Sequence, residues 1–200
     1  MHITDIKCPH PLVIAIALLL FATSTTIKAE AIPQPSYSRS IHGYKVPSVD
    51  VVTQDGRKTQ LSVVLDQGSP VIVNFIFTTC NTICPIMTAI LSKVYESIGS
   101  SSPNLRFVSI SIDPEHDTPA TLAEYAKKFK AGSNWQFLTG DLAELQLIQR
   151  AFDAYRGDKM NHTSLTLMRA ANSSSWVRIE GTANAHDLIS EFNSLGTVSR

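Results

Sequence analysis

Val71-Ile-Val-Asn-Phe-Ile-Phe77-Thr-Thr-Cys80-Asn-Thr-Ile-Cys84-Pro85 is the stretch of this 200-residue chain that decides how the rest is arranged. Residues 71–77 form a continuous apolar and β-branched run broken only by Asn74. Such a run suits a strand buried on both faces. Pro85 follows the second cysteine, and proline is tolerated in a first helical turn. Ile86, Ile90, Leu91 and Val94 then recur at helical spacing. Two thiols therefore sit at a corner where a buried strand turns into a helix.

The pattern repeats outward from this corner. Residues 105–112 read as a second buried strand, closed by Asp113-Pro114. Thr118-Pro119 supplies an N-cap and a first-turn proline for a helix reaching about Phe129. Residues 135–138 suit a short strand, and Asp141 caps a helix over 142–155. Residues 165–169 and 176–179 flank the polar turn 172–175 as a hairpin, and 186–195 read as a closing helix. Upstream, residues 49–53 and 59–64 flank Asp55-Gly56, a strong short-range hairpin signal. Buried strands alternating with helices predict an α/β fold with a central mixed sheet, helices on both faces and an N-terminal hairpin. A two-thiol corner on such a sheet is the active-site arrangement of thioredoxin-like folds.

Composition narrows the function. The chain has 17 basic and 17 acidic side chains, so nothing in its charge marks a nucleic-acid or anionic-membrane surface. An apolar content of 44% argues for a packed core. Lys7 precedes the apolar run from Leu12 to Ala22, and Ala29-Glu30-Ala31 places small residues at the −3 and −1 positions of a cleavage site. This is the layout of a secretory signal peptide. Eleven apolar residues make a helix of roughly 16 Å against a hydrocarbon core of about 30 Å. Residues 1–31 are thus expected to be a cleaved leader for bacterial export to the periplasm, or an inner-membrane anchor if the run extends through Ile27. In either case membrane contact is expected only through this segment. Residues 32–47, with Pro33, Pro35 and Pro47, read as an extended lead-in, and 48–200 as one thioredoxin-like domain. Cleavage removes Cys8 and leaves Cys80 and Cys84 alone.

At a helix start, free backbone N–H groups and the helix dipole favour a thiolate. As a staple the pair is poorly placed, because its loop is too short to constrain the unfolded chain much. Two thiolates can instead form a redox disulfide or hold a soft ion such as Cu(I) or Zn(II). A third ligand is sought among the histidines. His162 stands just before the penultimate strand, where thioredoxins carry a cis-proline, yet no proline follows Pro119. His162 would complete a Cys₂His site, and its position alone fits a hydrogen-bonding histidine equally well. His116 reads as a solvated loop residue and His186 as an exposed one; His42 in the lead-in is assigned no role. Met87 suits core filling, and Met160 stands where it would line the mouth of the site. Asp113 and Glu115 fit either a polar wall beside the corner or loop caps.

Three ordered motifs now stand together: Phe77-Thr-Thr-Cys80-Asn-Thr-Ile-Cys84-Pro85, Ser109-Ile-Ser-Ile-Asp113-Pro-Glu-His-Asp117-Thr-Pro119 and Asn161-His162. Over residues 45–195 they strongly resemble the Sco/SenC family. The resemblance implies a thioredoxin-like, exported and often membrane-tethered protein that binds copper, as Cu(I) or Cu(II), through Cys80, Cys84 and His162. It implies a metallochaperone or thiol reductant acting on the binuclear copper centre of cytochrome c oxidase. The expected partners are then a copper-receiving oxidase subunit and a thiol-disulfide exchange partner. Where the family commonly has proline and an acidic residue between its cysteines, this chain has Asn81 and Thr82, which removes a negative charge from the rim. The competing reading is a thiol-disulfide oxidoreductase that uses Cys80 and Cys84 as a redox pair without metal.

Overall fold

The computed structural model describes residues 36–65, 68–100 and 102–195, so the expected leader lies outside the described residues. Its sheet is built outward from β4 (Val71–Ile76), every residue of which is buried. Phe75, Val73 and Val71 face one layer of core, with Val108, Ile110, Leu138, Ile148 and Phe152. Ile72 and Ile76 face the other, with Leu91, Phe107, Leu122, Phe137 and Leu188. The unbroken apolar run is the sequence signature of this double burial.

β5 (Arg106–Ser111) lies parallel to β4, and β6 (Trp135–Thr139) parallel to β5. On the other side, β7 (Leu165–Arg169) and β8 (Trp176–Gly181) add as antiparallel strands. The N-terminal hairpin of β2 (Asp50–Thr53) and β3 (Lys58–Gln60) joins at β6. With β1 (Tyr37–His42) at the far edge, the eight-stranded order is β1-β8-β7-β4-β5-β6-β2-β3. Asn74, the one polar residue in β4, accepts a 2.7 Å hydrogen bond from the Ser109 hydroxyl, which accepts from the Trp135 indole at 3.0 Å. This buried polar line crosses three strands and pairs the Asn74 side-chain oxygen, the Ser109 hydroxyl and the Trp135 indole inside the core, while the Asn74 Nδ2 is left without a partner among the described residues.

Helices α2 (Ile83–Val94), α3 (Pro119–Lys128) and α5 (Ala185–Ser194) carry the residues of the second core layer. The short α1 (Leu61–Val64) and α4 (Leu142–Ala151) carry those of the first. Thr118 caps α3 as expected, accepting from the Thr121 amide at 3.2 Å. Four local expectations are corrected. The second hairpin strand stops at Gln60, because Leu61 and Val64 bury together only if the chain makes a helical turn. Helix α4 ends at Ala151 rather than near Tyr155, and Asp153 turns the chain away at φ 50°. Asp141 occupies the N-cap position of α4 without a side-chain capping bond. Finally, the lead-in contributes an edge strand: β1 pairs with β8, and Glu191 of α5 holds Arg39 at 2.7 Å and Tyr37 at 3.0 Å.

Asn184 closes the start of α5 with a reciprocal capping box: its side chain accepts from the Asp187 amide, and Asp187 accepts from the Asn184 amide, both at 3.0 Å. Asn184→Ala removes one of these partners and is expected to cost about 1 kcal/mol in urea unfolding. A loss below a few tenths would show that α5 does not depend on its cap.

Candidate metal centre

β4 ends at Ile76, and residues 77–82 turn the chain into α2. Two buried carboxylates from the β5–α3 turn hold this loop. Asp117 accepts from the Thr78 amide at 3.0 Å, from the Thr78 hydroxyl and from Ser111 at 2.6 Å. Asp113, only 4% exposed, accepts from Thr79 at 3.3 Å, from Lys159 at 2.6 Å and from His116 at 3.0 Å. Burial resists ionisation of Asp113, yet the bonds from Lys159 and His116 prevail and hold its pKa below the usual value.

The cysteines sit in contrasting surroundings. Cys80 is partly exposed, and Cys84 is buried. Partial burial pushes the Cys80 thiol up. The Thr82 hydroxyl, 3.5 Å away, and the backbone N–H groups of Cys84 and Thr82 together outweigh it and bring the pKa down to about 7. Thr82, which stands at the N-cap of α2, makes no capping bond to its own helix and spends its hydroxyl on this sulfur. Burial dominates at Cys84, with the neighbouring Cys80 and Asp117 adding to it, and the thiol is pushed up to about 12 against a bond from the Phe77 backbone. The Cys84 carbonyl accepts from Thr88 at 2.9 Å, and Thr88 in turn is bonded to Tyr125, so the first turn of α2 is anchored to α3.

His162 follows a short 3₁₀ turn, Lys159–Asn161, and leads into β7. Its Nε2 lies 3.0 Å from the Phe75 carbonyl and must carry the proton, since a carbonyl only accepts. Nδ1 is thereby left with its lone pair. Burial holds the His162 pKa below the usual imidazole value, so the neutral, ligating form dominates at neutral pH. The imidazole stands edge-on to Phe77 at 6.4 Å between ring centroids, and the Phe77 backbone bonds Cys84. Phe77 thus lies between the histidine and the buried thiol. The ligand atoms of all three residues are not gathered within 4.8 Å of one another; those of Asp113, Glu115 and His116 are. That acidic group already has Lys159 as its cation. Beyond His162 a cleft of about 270 Å³ opens between Asp113, Glu115, Gln149, Arg156 and Lys159.

His116 and His186 are exposed, as expected, and Met160 is 73% exposed. Met87 is buried in the body of α2, as expected of core filling. Sequence reasoning did not find Lys159 as a partner of Asp113, or the Thr78 and Thr79 anchors. The acidic spacing in Asp113 to Asp117 was the available signal for the anchors.

A mixed sheet with helices on both faces and a two-thiol corner at the start of α2 defines a thioredoxin-like protein. Residues 46–196 match the SCO1/SenC family profile, and the chain belongs to that family. Among sequence relatives, the SCO1 protein homolog of Bacillus subtilis is 36% identical over 98 residues, 48% of this chain and 50% of that protein. The human mitochondrial SCO1 homolog is 34% identical over 90 residues, 44% of this chain and 29% of that protein. The chain therefore spans half or less of the length of these curated relatives. Among solved structures, BsSco, a member of the Sco family of cytochrome c oxidase assembly proteins in which a disulfide switch was identified, superposes with a TM-score of 0.64. It is 28% identical, over 85% of this chain and 100% of the other. The copper-bound Arabidopsis thaliana ScoI gives a TM-score of 0.63 at 22% identity, over 76% of this chain and 98% of the other, a likeness of fold.

The split between the thiols is open to direct measurement. Alkylation of the reduced, folded protein is expected to modify Cys80 with a rate that rises with pH about a midpoint near 7. Cys84 is expected to stay unmodified until the protein is denatured. Equal rates at the two cysteines, read by peptide mass spectrometry, would contradict the asymmetry.

Proposed function

We propose that this protein is an exported copper carrier that serves assembly of the copper centre of cytochrome c oxidase. The observation that carries the reading is the pairing of two soft sulfur donors with a neutral histidine whose Nδ1 is free, on adjacent loops. Sulfur and imidazole donors suit copper, and hard cations would be held poorly. Cys80, Cys84 and His162 are the residues that would hold the ion. Family membership and the copper-bound state of a fold relative support the same choice. In this reading residues 1–31 direct export, and the recipient is an oxidase subunit whose copper-binding thiols must be reduced before loading.

Cys80 is partly thiolate near neutrality, so copper displaces the Cys84 proton and only a fraction of one from Cys80. Oxidation of the pair to a disulfide passes two electrons to a partner disulfide, which is reduced to two thiols and takes up the protons that the pair still holds, and it consumes both sulfur ligands. Copper loading and redox state are therefore coupled, and only the dithiol form is competent to bind. The thiol asymmetry also supports a second role as a thiol-disulfide oxidoreductase. The Cys80 thiolate attacks one sulfur of a partner disulfide and the other leaves as thiolate. Cys84 then loses its proton and attacks Cys80 in the mixed disulfide, releasing the partner's second thiol and leaving this protein oxidised.

The reduced protein is expected to bind one copper ion per chain. His162→Ala should weaken binding by more than about tenfold, or ~1.4 kcal/mol, in competition with a Cu(I) chelator. The exposed-histidine variant His186→Ala should leave it unchanged. Equal effects from the two would remove His162 from the ligand set. Cys80→Ser should abolish both copper binding and disulfide exchange. Retention of stoichiometric copper by that variant would overturn the carrier reading.

A further inference from the structure

Lys159 and Asp113 come from loops 46 residues apart in sequence and meet at 2.6 Å. The carboxylate is 4% exposed at its side chain and the lysine 33%, so the lysine reaches down to a fixed acceptor. Asp113 is fixed from its own side as well: its amide donates to the Ser111 hydroxyl at 3.0 Å, and its carboxylate takes the Thr79 hydroxyl. Thr79 immediately precedes Cys80, and Lys159 stands three residues before His162. On its way to Asp113 the lysine ammonium passes 5.8 Å from the centre of the Phe77 ring, the ring that His162 meets edge-on. The 3₁₀ turn itself is closed by Asp158, which accepts from the Met160 amide at 2.8 Å. One carboxylate thus receives a strut from each of the two loops that carry the thiols and the imidazole.

We propose that Lys159 is a positioning residue, which ties the His162 turn to Asp113 and so keeps the imidazole beside the cysteine corner. The inference rests on the copper reading for its consequence, but the restraint itself exists in the metal-free protein. With the turn pinned, His162 reaches a metal through its free Nδ1 by a local movement, without a search by the whole loop. Preorganisation of this kind shows in ligand affinity rather than in global stability, because a partly exposed ion pair contributes little to folding.

The test uses the full-length reduced protein, Lys159→Met, which keeps the stem and loses the charge, and Lys159→Arg, which restores a cation. Lys127→Met on the exposed face of α3 is the charge control. In the metal-free protein, amide exchange across residues 159–163 is expected to speed up in Lys159→Met alone, with the melting temperature unchanged. Cu(I) affinity is expected to fall about tenfold in Lys159→Met, at the low end for residues that support ligands indirectly, and to recover in Lys159→Arg. Unchanged exchange at residues 159–163 would overturn the proposal, as would copper affinity equal to or above that of the parent. An equal loss in Lys127→Met would overturn it too, by reducing the effect to net charge. If the parent protein binds no copper, the carrier reading fails, and the exchange measurement alone then decides the restraint.

Discussion

Where β4 leaves the sheet, the Thr78 amide has no strand partner, and the buried carboxylate of Asp117 takes its place. A fully buried N–H left unpaired costs roughly 1–3 kcal/mol, and this half-buried one is satisfied at the point where the chain turns. The Ser111 and Thr78 hydroxyls complete the acceptor shell of Asp117, and Asp113 repeats the device on Thr79. The loop before Cys80 is therefore shaped from the neighbouring β5–α3 turn. Everything chemical at the corner follows from that shape: the N–H groups of Thr82 and Cys84 approach the Cys80 sulfur, and Cys84 is carried inward on α2.

The consequence is a pair of thiols that are neighbours in space and opposites in character. One is exposed enough to meet a partner and acidic enough to react near neutrality; the other is buried and holds its proton. In the proposed function this asymmetry would serve metal capture and disulfide exchange equally well. Both uses draw on the same two sulfur atoms, so they exclude each other at any moment, and redox state selects between them.

The central strand and the thiol corner were legible because their signals are local. A seven-residue apolar run announces a strand covered on both faces, and a proline after Cys84 announces the helix. Residues 59–64 misled because Thr59, Val63 and Val64 give them a β-branched composition that resembles a strand, while the spacing of three residues between Leu61 and Val64 buries both on one side of a helical turn. Strand β1 was illegible as structure: Tyr37-Ser-Arg-Ser-Ile-His42 has no clean alternation, and its anchor, Glu191, lies 152 residues from Arg39. The same holds at the site. Asp113 and Glu115 stood out as acidic residues near the corner, but the identity of the partner cation, Lys159, is a product of the fold. His162 stood out by its place before the penultimate strand, and its tautomer became visible only with the Phe75 carbonyl.

In the proposed function two sulfurs and one imidazole form a single copper site. X-ray absorption of the reduced protein loaded with one equivalent of Cu(I) tests this most directly. The predicted spectrum contains two sulfur scatterers and the multiple-scattering pattern of one imidazole around each copper. A shell of oxygen and nitrogen donors without sulfur, or two sulfurs with no imidazole, would contradict it.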